Sequence, residues 1–410
     1  GLPDDASVRA IRADPTRRGL LYAGTDTGVF VSFADGASWR RLGGNLPVVP
    51  VHDLAVKGTD LVAATHGRSF WILDDLTPLR QLAAGADLAS PFLCPRRDTY
   101  RFTSSGGHDA PAPGLSYQPA GGVTVAREGR RTSTGDTHVR YLDAGANPPD
   151  GVIINYCLPE QSGGATRLSI LDATGRLIRS FASTGVDGEP SLPARPGLNR
   201  FVWDLRYPGP TALPEPRGQT FPVAGPLAVP GAYRVRLEAA GQTFEESFAI
   251  LRDPRAGDDA GLAAQFDLLL RIRDRISALH EAVARIRALD RQLAGWARRA
   301  QRDAARGDEV VAAATTLREH LAAIEGEFIQ LRATTIDDGL TVPAKLNVKL
   351  ALLAWSVAAG YAAPTPAAEA LFADLSARLD GHFTELQRAV ETEGAAFDDL
   401  IRAVALPPIG

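Results

Sequence analysis

A chain of 410 residues is longer than one hydrophobic core organises, so two or three domains are expected. Its 45% apolar and 22% charged residues exclude a disordered tail. A net charge of -4, with arginines scattered rather than gathered into one stripe, excludes a nucleic-acid or anionic-membrane surface. The chain has no methionine and opens on Gly-Leu-Pro-Asp without a basic-then-apolar leader, so Gly1 reads as neither a translation start nor an intact signal peptide.

The N-terminal stretch repeats itself. "LYAGTDTGVFVS" (21–32) lies over "LVAATHGRSFWI" (61–72) with Leu21/Leu61, Ala23/Ala63, Thr25/Thr65 and Phe30/Phe70 coinciding. Each copy follows another alternating strand, "VRAIRA" (8–13) and "VHDLAV" (51–56), and the register drifts only in a turn. Several short strands in units of about 40 to 45 residues predict β-propeller blades. Two blades do not close a ring, so upstream blades or a partner chain supplying them are expected.

Between the units stands "VSFADGASW" (31–39), a cluster that suits a catalytic loop or a turn. Asp and Ser oxygens accept backbone N–H groups, Gly supplies positive φ, and a Trp opening the next strand packs between sheets, so the cluster predicts a turn. It resembles the Asp-box of the BNR-repeat proteins, Ser-x-Asp-x-Gly-x-Thr-Trp. Ser32, Gly36, Ser38 and Trp39 take the Ser, Gly, Thr and Trp places, while Ala34 takes the Asp place and Asp35 follows it. With "NLPVVPVHDL" (45–54) and "LDDLTPLRQL" (73–82), the segment is similar to the end of large bacterial BNR-repeat proteins, sortilin-like or labelled glycosyl hydrolase. That resemblance implies a propeller whose boxes lie away from any catalytic centre.

The second unit holds the densest polar chemistry, with His66, Arg68, Ser69, Asp74 and Asp75 within a short span. His66 and Arg68 belong to a hairpin turn and Asp74 and Asp75 to the strand's far end, about 20 Å away at roughly 3.3 Å per residue. That is too far for a His–Asp catalytic pair. Asp74 and Asp75 are expected to cap the blade-closing turn, and His66 and Arg68 are the candidate ligand contacts on the rim.

Residues 83–146 read as a linker or extended surface segment, Gly- and Pro-rich over 103–122, with His108 and Asp109 a solvated pair. Strands return from 147. "TRLSILDATGRLIRSF" (166–181) is a hairpin, followed by "GLNRFVWDLRYPG" (197–209) and "PGAYRVRLEAAGQTFEESFAIL" (230–251). Residues 147–253 therefore predict an immunoglobulin-like sandwich of roughly 100 residues. It resembles immunoglobulin-like domains of hook-cap and cell-surface proteins. Trp203 is its core anchor or, with Tyr207, a sugar-stacking platform, and the Pro-rich insert 208–230 is an exposed loop. Cys94 and Cys157 are two structural thiols or one long-range disulfide.

From 254 the period becomes helical. Leu269, Ile272, Ile276, Leu279, Val283, Ile286 and Leu293 form one seam, interrupted at Asp290. Val310, Ala314, Leu317, Leu321, Ile324, Phe328 and Leu331 form a second, and Gly307-Asp308 between them suits an antiparallel hairpin. Helices at about 344–360 and 366–392 complete a bundle over 254–410. The apolar run 350–363 is shorter than the roughly 20 residues that span a bilayer. His280, His320 and His382 fall on different helices without a Glu-x-x-His pattern, so no metal is expected. Arg271, Arg273 and Arg275 read as a solvated or docking face.

The sequence therefore predicts a multidomain protein of β plus α: closing propeller blades (1–82), linker, sandwich and helical bundle. No cofactor and no catalytic constellation is expected in it. Its expected function is extracytoplasmic binding or scaffolding, in a bacterium, of a protein or glycan ligand, with the bundle as a docking or oligomerisation arm. The alternatives are a glycoside hydrolase with paired carboxylates on upstream blades, and a structural subunit of an envelope complex.

Overall fold

The computed structural model describes residues 1–102, 113–120, 123–131, 137–142, 144–145, 148–160, 164–184, 190–213, 221–303, 306–333, 338 and 341–404. The chain forms two units, Gly1–Leu205 with Pro230–Leu251, and Arg206–Val229 with Arg252–Gly410. His108 and Asp109 lie outside the described residues.

In the first unit the repeated hairpins become two antiparallel sheets. Strands β1 (Val8–Ala13), β2 (Leu21–Thr25), β3 (Gly28–Ser32) and β4 (Arg40–Arg41) pair in chain order, as do β5 (Val51–Lys57), β6 (Asp60–Thr65) and β7 (Phe70–Leu73). Ala10, Leu20, Tyr22, Val29 and Val31 share one core with Val51, Leu54, Leu61, Ala63 and Leu76. Each large side chain buried there contributes about 1.5–3 kcal/mol. Gly24 makes the close approach possible, since a Cβ on it would meet the Val51 Cγ1 and carbonyl at 3.0 Å.

After β7 the chain does not turn back into a fourth strand. It enters α1 (Thr77–Ala83), with Pro in its first turn, where the missing N–H costs nothing. Arg80 on α1 reaches back to the buried Asp14 carboxylate at 2.9 Å and to the Gly58 carbonyl at 2.9 Å.

The span expected as a linker or extended surface segment carries strands of this unit. Its strands β8 (Phe92–Leu93) and β9 (Thr99–Arg101) join sheets built mainly by later residues, and β10 (Gly114–Ala120), β11 (Val123–Arg131) and β12 (Thr137–Tyr141) form a sheet of their own. Gly and Pro content signalled breaks between strands, not the absence of strands.

The remaining strands are β13 (Val152–Leu158), β14 (Arg167–Asp172), β15 (Leu177–Ala182), β16 (Gly197–Trp203), β17 (Gly231–Ala239) and β18 (Gln242–Arg252). They give one sheet in the order β16-β13-β8 and another in the order β15-β14-β17-β18-β9. The two sheets meet through aromatic side chains: Phe181 lies 4.6 Å from Phe201, and Trp203 lies 6.0 Å from Tyr233 and 6.3 Å from Phe248. Such tilted and edge-on pairs add about 0.5–1.5 kcal/mol beyond their burial.

The second unit is helical: α2 (Asp259–Asp303), α3 (Gly307–Phe328), α4 (Leu346–Ala358) and α5 (Pro366–Ala389), then a π-helical turn (Val390–Gly394) and α6 (Ala395–Val404). The expected seams are buried from Leu269 to Leu293 on α2 and from Val310 to Phe328 on α3, while Leu331, the last expected position, lies past the end of α3 and is exposed. Arg287 pairs with Glu325 at 2.8 Å, and Asp290, the seam interruption, pairs with Arg318 at 2.7 Å. Partners that fall on one helix as they rise on the other mean that α2 and α3 are antiparallel. Thr365 caps α5, its hydroxyl accepting the Ala368 N–H at 3.2 Å, and Pro366 opens the helix.

The insert expected as an exposed loop belongs to this unit. Leu213 and Val223 pack on the helical core, and Thr211 meets Ser277 at 3.0 Å. Among the described residues no helix is long and apolar enough to cross a membrane.

Candidate functional site

The turn between β3 and β4 is held by serine, not aspartate. Buried Ser32 accepts the Ala34 and Gly36 N–H groups through Oγ at 3.2 and 3.0 Å. Ala37 N–H closes the turn on the Ala34 carbonyl at 3.0 Å. Asp35 has φ 52°, an exposed side chain and an N–H that donates to the Gly19 carbonyl at 2.9 Å, and Gly36 has φ 90°. Ser38 is exposed and Trp39 half-buried at the entry to β4. The displaced aspartate therefore leaves its capping role to Ser32, and the cluster is a folded turn.

The turn after β6 presents its polar groups to solvent. The His66 ring stacks on His52 from the start of β5, with centroids 5.0 Å apart and planes inclined by 25°. Both histidines and Arg68 are exposed. The turn is rigid: His66 N–H donates to the Pro50 carbonyl at 2.9 Å, Thr65 Oγ1 to the Ser69 carbonyl at 2.6 Å, and Trp71 Nε1 to the Arg68 carbonyl at 3.0 Å. A stacked imidazole pair beside a guanidinium offers donors and flat faces to an acidic or hydroxyl-rich ligand.

At the other end of β7 the structure assembles carboxylates that the sequence did not connect. Asp60 Oδ1 accepts from Arg97 at 2.9 Å and from the Asp75 N–H at 3.0 Å. Asp75, buried with φ 67°, caps the entry to α1 by accepting the Thr77 N–H at 3.1 Å. Its second oxygen accepts from the buried Asn155 amide at 2.7 Å, and Arg200 joins Asn155 to the Asp74 carbonyl at 3.2 Å each. Asp75 is thus the turn cap. Asp74 is the chemically unusual one: burial, then the neighbouring Asp60 charge, pushes its carboxyl up, against the pull of Arg97 and Arg200. Arg97 also lines a cleft of about 330 Å³ with Tyr100, Phe102, Pro148, Pro149 and Ile153. Arg97, Asn155 and Arg200 were invisible as partners because long stretches of chain separate them from Asp60 and Asp75.

Of the two aromatic candidates, Trp203 takes the core-anchor reading and neither forms a sugar platform. Trp203 is fully buried against Tyr233 and Phe248, so it is a core residue and no sugar platform. Tyr207 belongs to the helical unit, where it packs edge-on against Phe266 at 4.8 Å. A side chain at the end of a strand points into the core or away from it by parity, which residue type does not reveal.

In the helical unit, His280 contacts the Thr211 carbonyl at 2.7 Å and Asn347 at 3.3 Å. His320 lies 2.8 Å from Glu393 and 3.5 Å from Glu385, and His382 lies 3.3 Å from the same Glu385. Among the described residues no group of three or more His, Cys, Asp or Glu is arranged to hold a metal ion. Cys94 and Cys157 are free, buried thiols. Burial pushes the Cys94 thiol up to about 12, which leaves it unreactive at neutral pH.

No family model, curated protein or solved structure matches this chain.

Proposed function

We propose that the chain is a non-catalytic, extracytoplasmic binding or scaffold protein. In this reading residues 1–82 are closing blades of a BNR-type β-propeller, the layer from 147 to 253 is immunoglobulin-like, and the ligand is a protein or glycan. One observation carries it: the polar groups concentrated by the fold are divided between two duties. Asp14, Asp60 and Asp75 are bound by Arg80, Arg97 and Asn155 and hold strand ends together. The His52–His66 stack and Arg68 are exposed at the start of β5 and on the turn after β6.

Glycan-array binding of the chain, compared with a His66→Ala/Arg68→Ala variant, tests the reading. At least one glycan should bind and lose about tenfold or more in affinity in the variant, the loss of one or two charge-assisted contacts. Binding that the variant leaves untouched would sink the rim as the ligand surface.

A further inference from the structure

The sheet β10-β11-β12 ends in two strands that each have a neighbour on one side only. Which backbone groups they leave open follows from one bond: the Leu142 N–H, just past β12, donates to the Ala126 carbonyl at 2.9 Å. Cα partners across β11 and β12 are Arg127↔Tyr141, Glu128↔Arg140 and Gly129↔Val139, so Arg140 and Leu142 turn their N–H and C=O groups toward β11. Backbone direction alternates along a strand, and Val139 and Tyr141 therefore turn theirs away from the sheet. No described residue pairs with those groups.

The two edges are not equivalent. On β10 the outward positions are Leu115, Tyr117 and Pro119, and Pro119 has no N–H to offer a further strand. β12 has neither a proline nor a break in register to guard it. A cleft of about 410 Å³ is lined by Val139, Arg140, Tyr141 and Leu142 together with Asn45, whose exposed amide has no partner among the described residues. A row of open N–H and C=O groups is a template for another strand, and charge selects which one. Arg130 and Arg140 share a single carboxylate, Glu128, at 3.2 and 3.8 Å, and Arg140 is 68% exposed, so this face carries more positive than negative charge. Leu142, two positions on, is exposed on the same face.

We propose that β12 takes an extended acidic segment of another polypeptide as a fourth strand, with Asp or Glu opposite Arg140 and an apolar residue opposite Leu142. The open backbone groups of Val139 and Tyr141 hold it, in the antiparallel sense that is the more stable pairing, and alternate side chains read it as apolar-x-acidic. Arg140 occupies a non-hydrogen-bonded position of the new pair, where facing side chains approach most closely. For the same reason a second copy is not the partner: pairing β12 with itself through Val139 and Tyr141 sets Arg140 directly opposite Arg140. This surface goes beyond the binding function proposed for the turn after β6 and stands whether or not His66 and Arg68 touch a ligand.

Fluorescence anisotropy tests it, with the full 410-residue chain and a labelled peptide, acetyl-Ser-Leu-Val-Glu-Val-Ser-amide. The peptide should bind saturably, its Leu, Val, Glu and Val lying opposite Leu142, Tyr141, Arg140 and Val139. N-methylation of both Val residues, whose N–H groups turn toward β12, should weaken binding about tenfold or more through two lost backbone hydrogen bonds. N-methylation of Leu and Glu, which turn away, should change it by less than about threefold. Replacing the peptide's Glu by Lys should cost about fivefold, and Arg140→Glu should reverse that preference. Val139→Pro removes one open donor, spares the bonds to β11 and should weaken binding about fivefold. Absence of saturable binding, indifference to which amides are methylated, or a charge preference that Arg140→Glu leaves in place overturns the proposal. Self-association of the chain in analytical ultracentrifugation, abolished by Val139→Pro, overturns it in favour of a second copy.

Discussion

Ser32 and Asp14 show how single polar residues organise the N-terminal sheets. Ser32→Ala removes the acceptor for two amides in a buried turn and is expected to cost about 1–2 kcal/mol, whereas Asp35→Ala stays within about 0.5 kcal/mol. Thermal unfolding of the two variants checks the ordering; equal losses would return the capping role to the aspartate. Asp14 sits where burial alone would raise its pKa, but the Thr16 amide, the Arg80 guanidinium and the Thr16 hydroxyl together hold it below the ordinary 3.8. A carboxyl depressed in the folded state contributes stability that is fully present above 3.8 and is lost as pH falls through the lower folded value. Urea unfolding from about pH 5 to about pH 2 should therefore show an acid limb that is shallower in Asp14→Asn. An unchanged limb would mean that other carboxylates carry it.

At the scale of elements, charged residues that read as solvated surface are fasteners between helices. Arg271 pairs with Glu369 at 2.8 Å and stacks on Phe372, and Arg275 pairs with Asp380 at 2.5 Å, so both tie α2 to α5. The most enclosed link is Arg287–Glu325 between α2 and α3, with side chains only 10% and 12% exposed. Arg287→Ala leaves the Glu325 carboxylate buried without that partner and should cost about 3–5 kcal/mol. The apolar double variant Arg287→Met/Glu325→Leu should recover most of that loss, because two desolvation penalties disappear together. Chemical denaturation of the wild type and both variants measures this; a double variant no better than the single would show that the pair itself stabilises the bundle. The helical seams were legible because a 3.6-residue period is written locally. The arginine partners were not, because identical surface arginines differ only in what the next helix brings opposite them.

Across the first unit, the end of β7 is joined to the β16-β13-β8 sheet through Asp75 and Asn155, both buried and 2.7 Å apart. Asn155→Ala is expected to cost about 1–3 kcal/mol by leaving that Asp75 oxygen without its donor, and Asn155→Asp more, through like-charge repulsion. Loss of a single cooperative unfolding transition in Asn155→Ala would show that this bond couples the N-terminal sheets to the later ones; retention with a loss below about 0.5 kcal/mol would show that it does not. The sequence by itself determined the strands, the helical seams, the turn at Ser32–Trp39 and the repeat, because alternation, heptad-like spacing and turn chemistry act between near neighbours. It misread the insert 208–230 and missed the strands within 83–146, made no statement about the face of Phe70, and offered both a core and a surface reading for Trp203. Only the tertiary structure decided these, for one physical reason. A strand's partner and the parity of a side chain depend on turn length and on residues far along the chain, and a single added residue at His66–Arg68 reverses which face each β7 side chain takes.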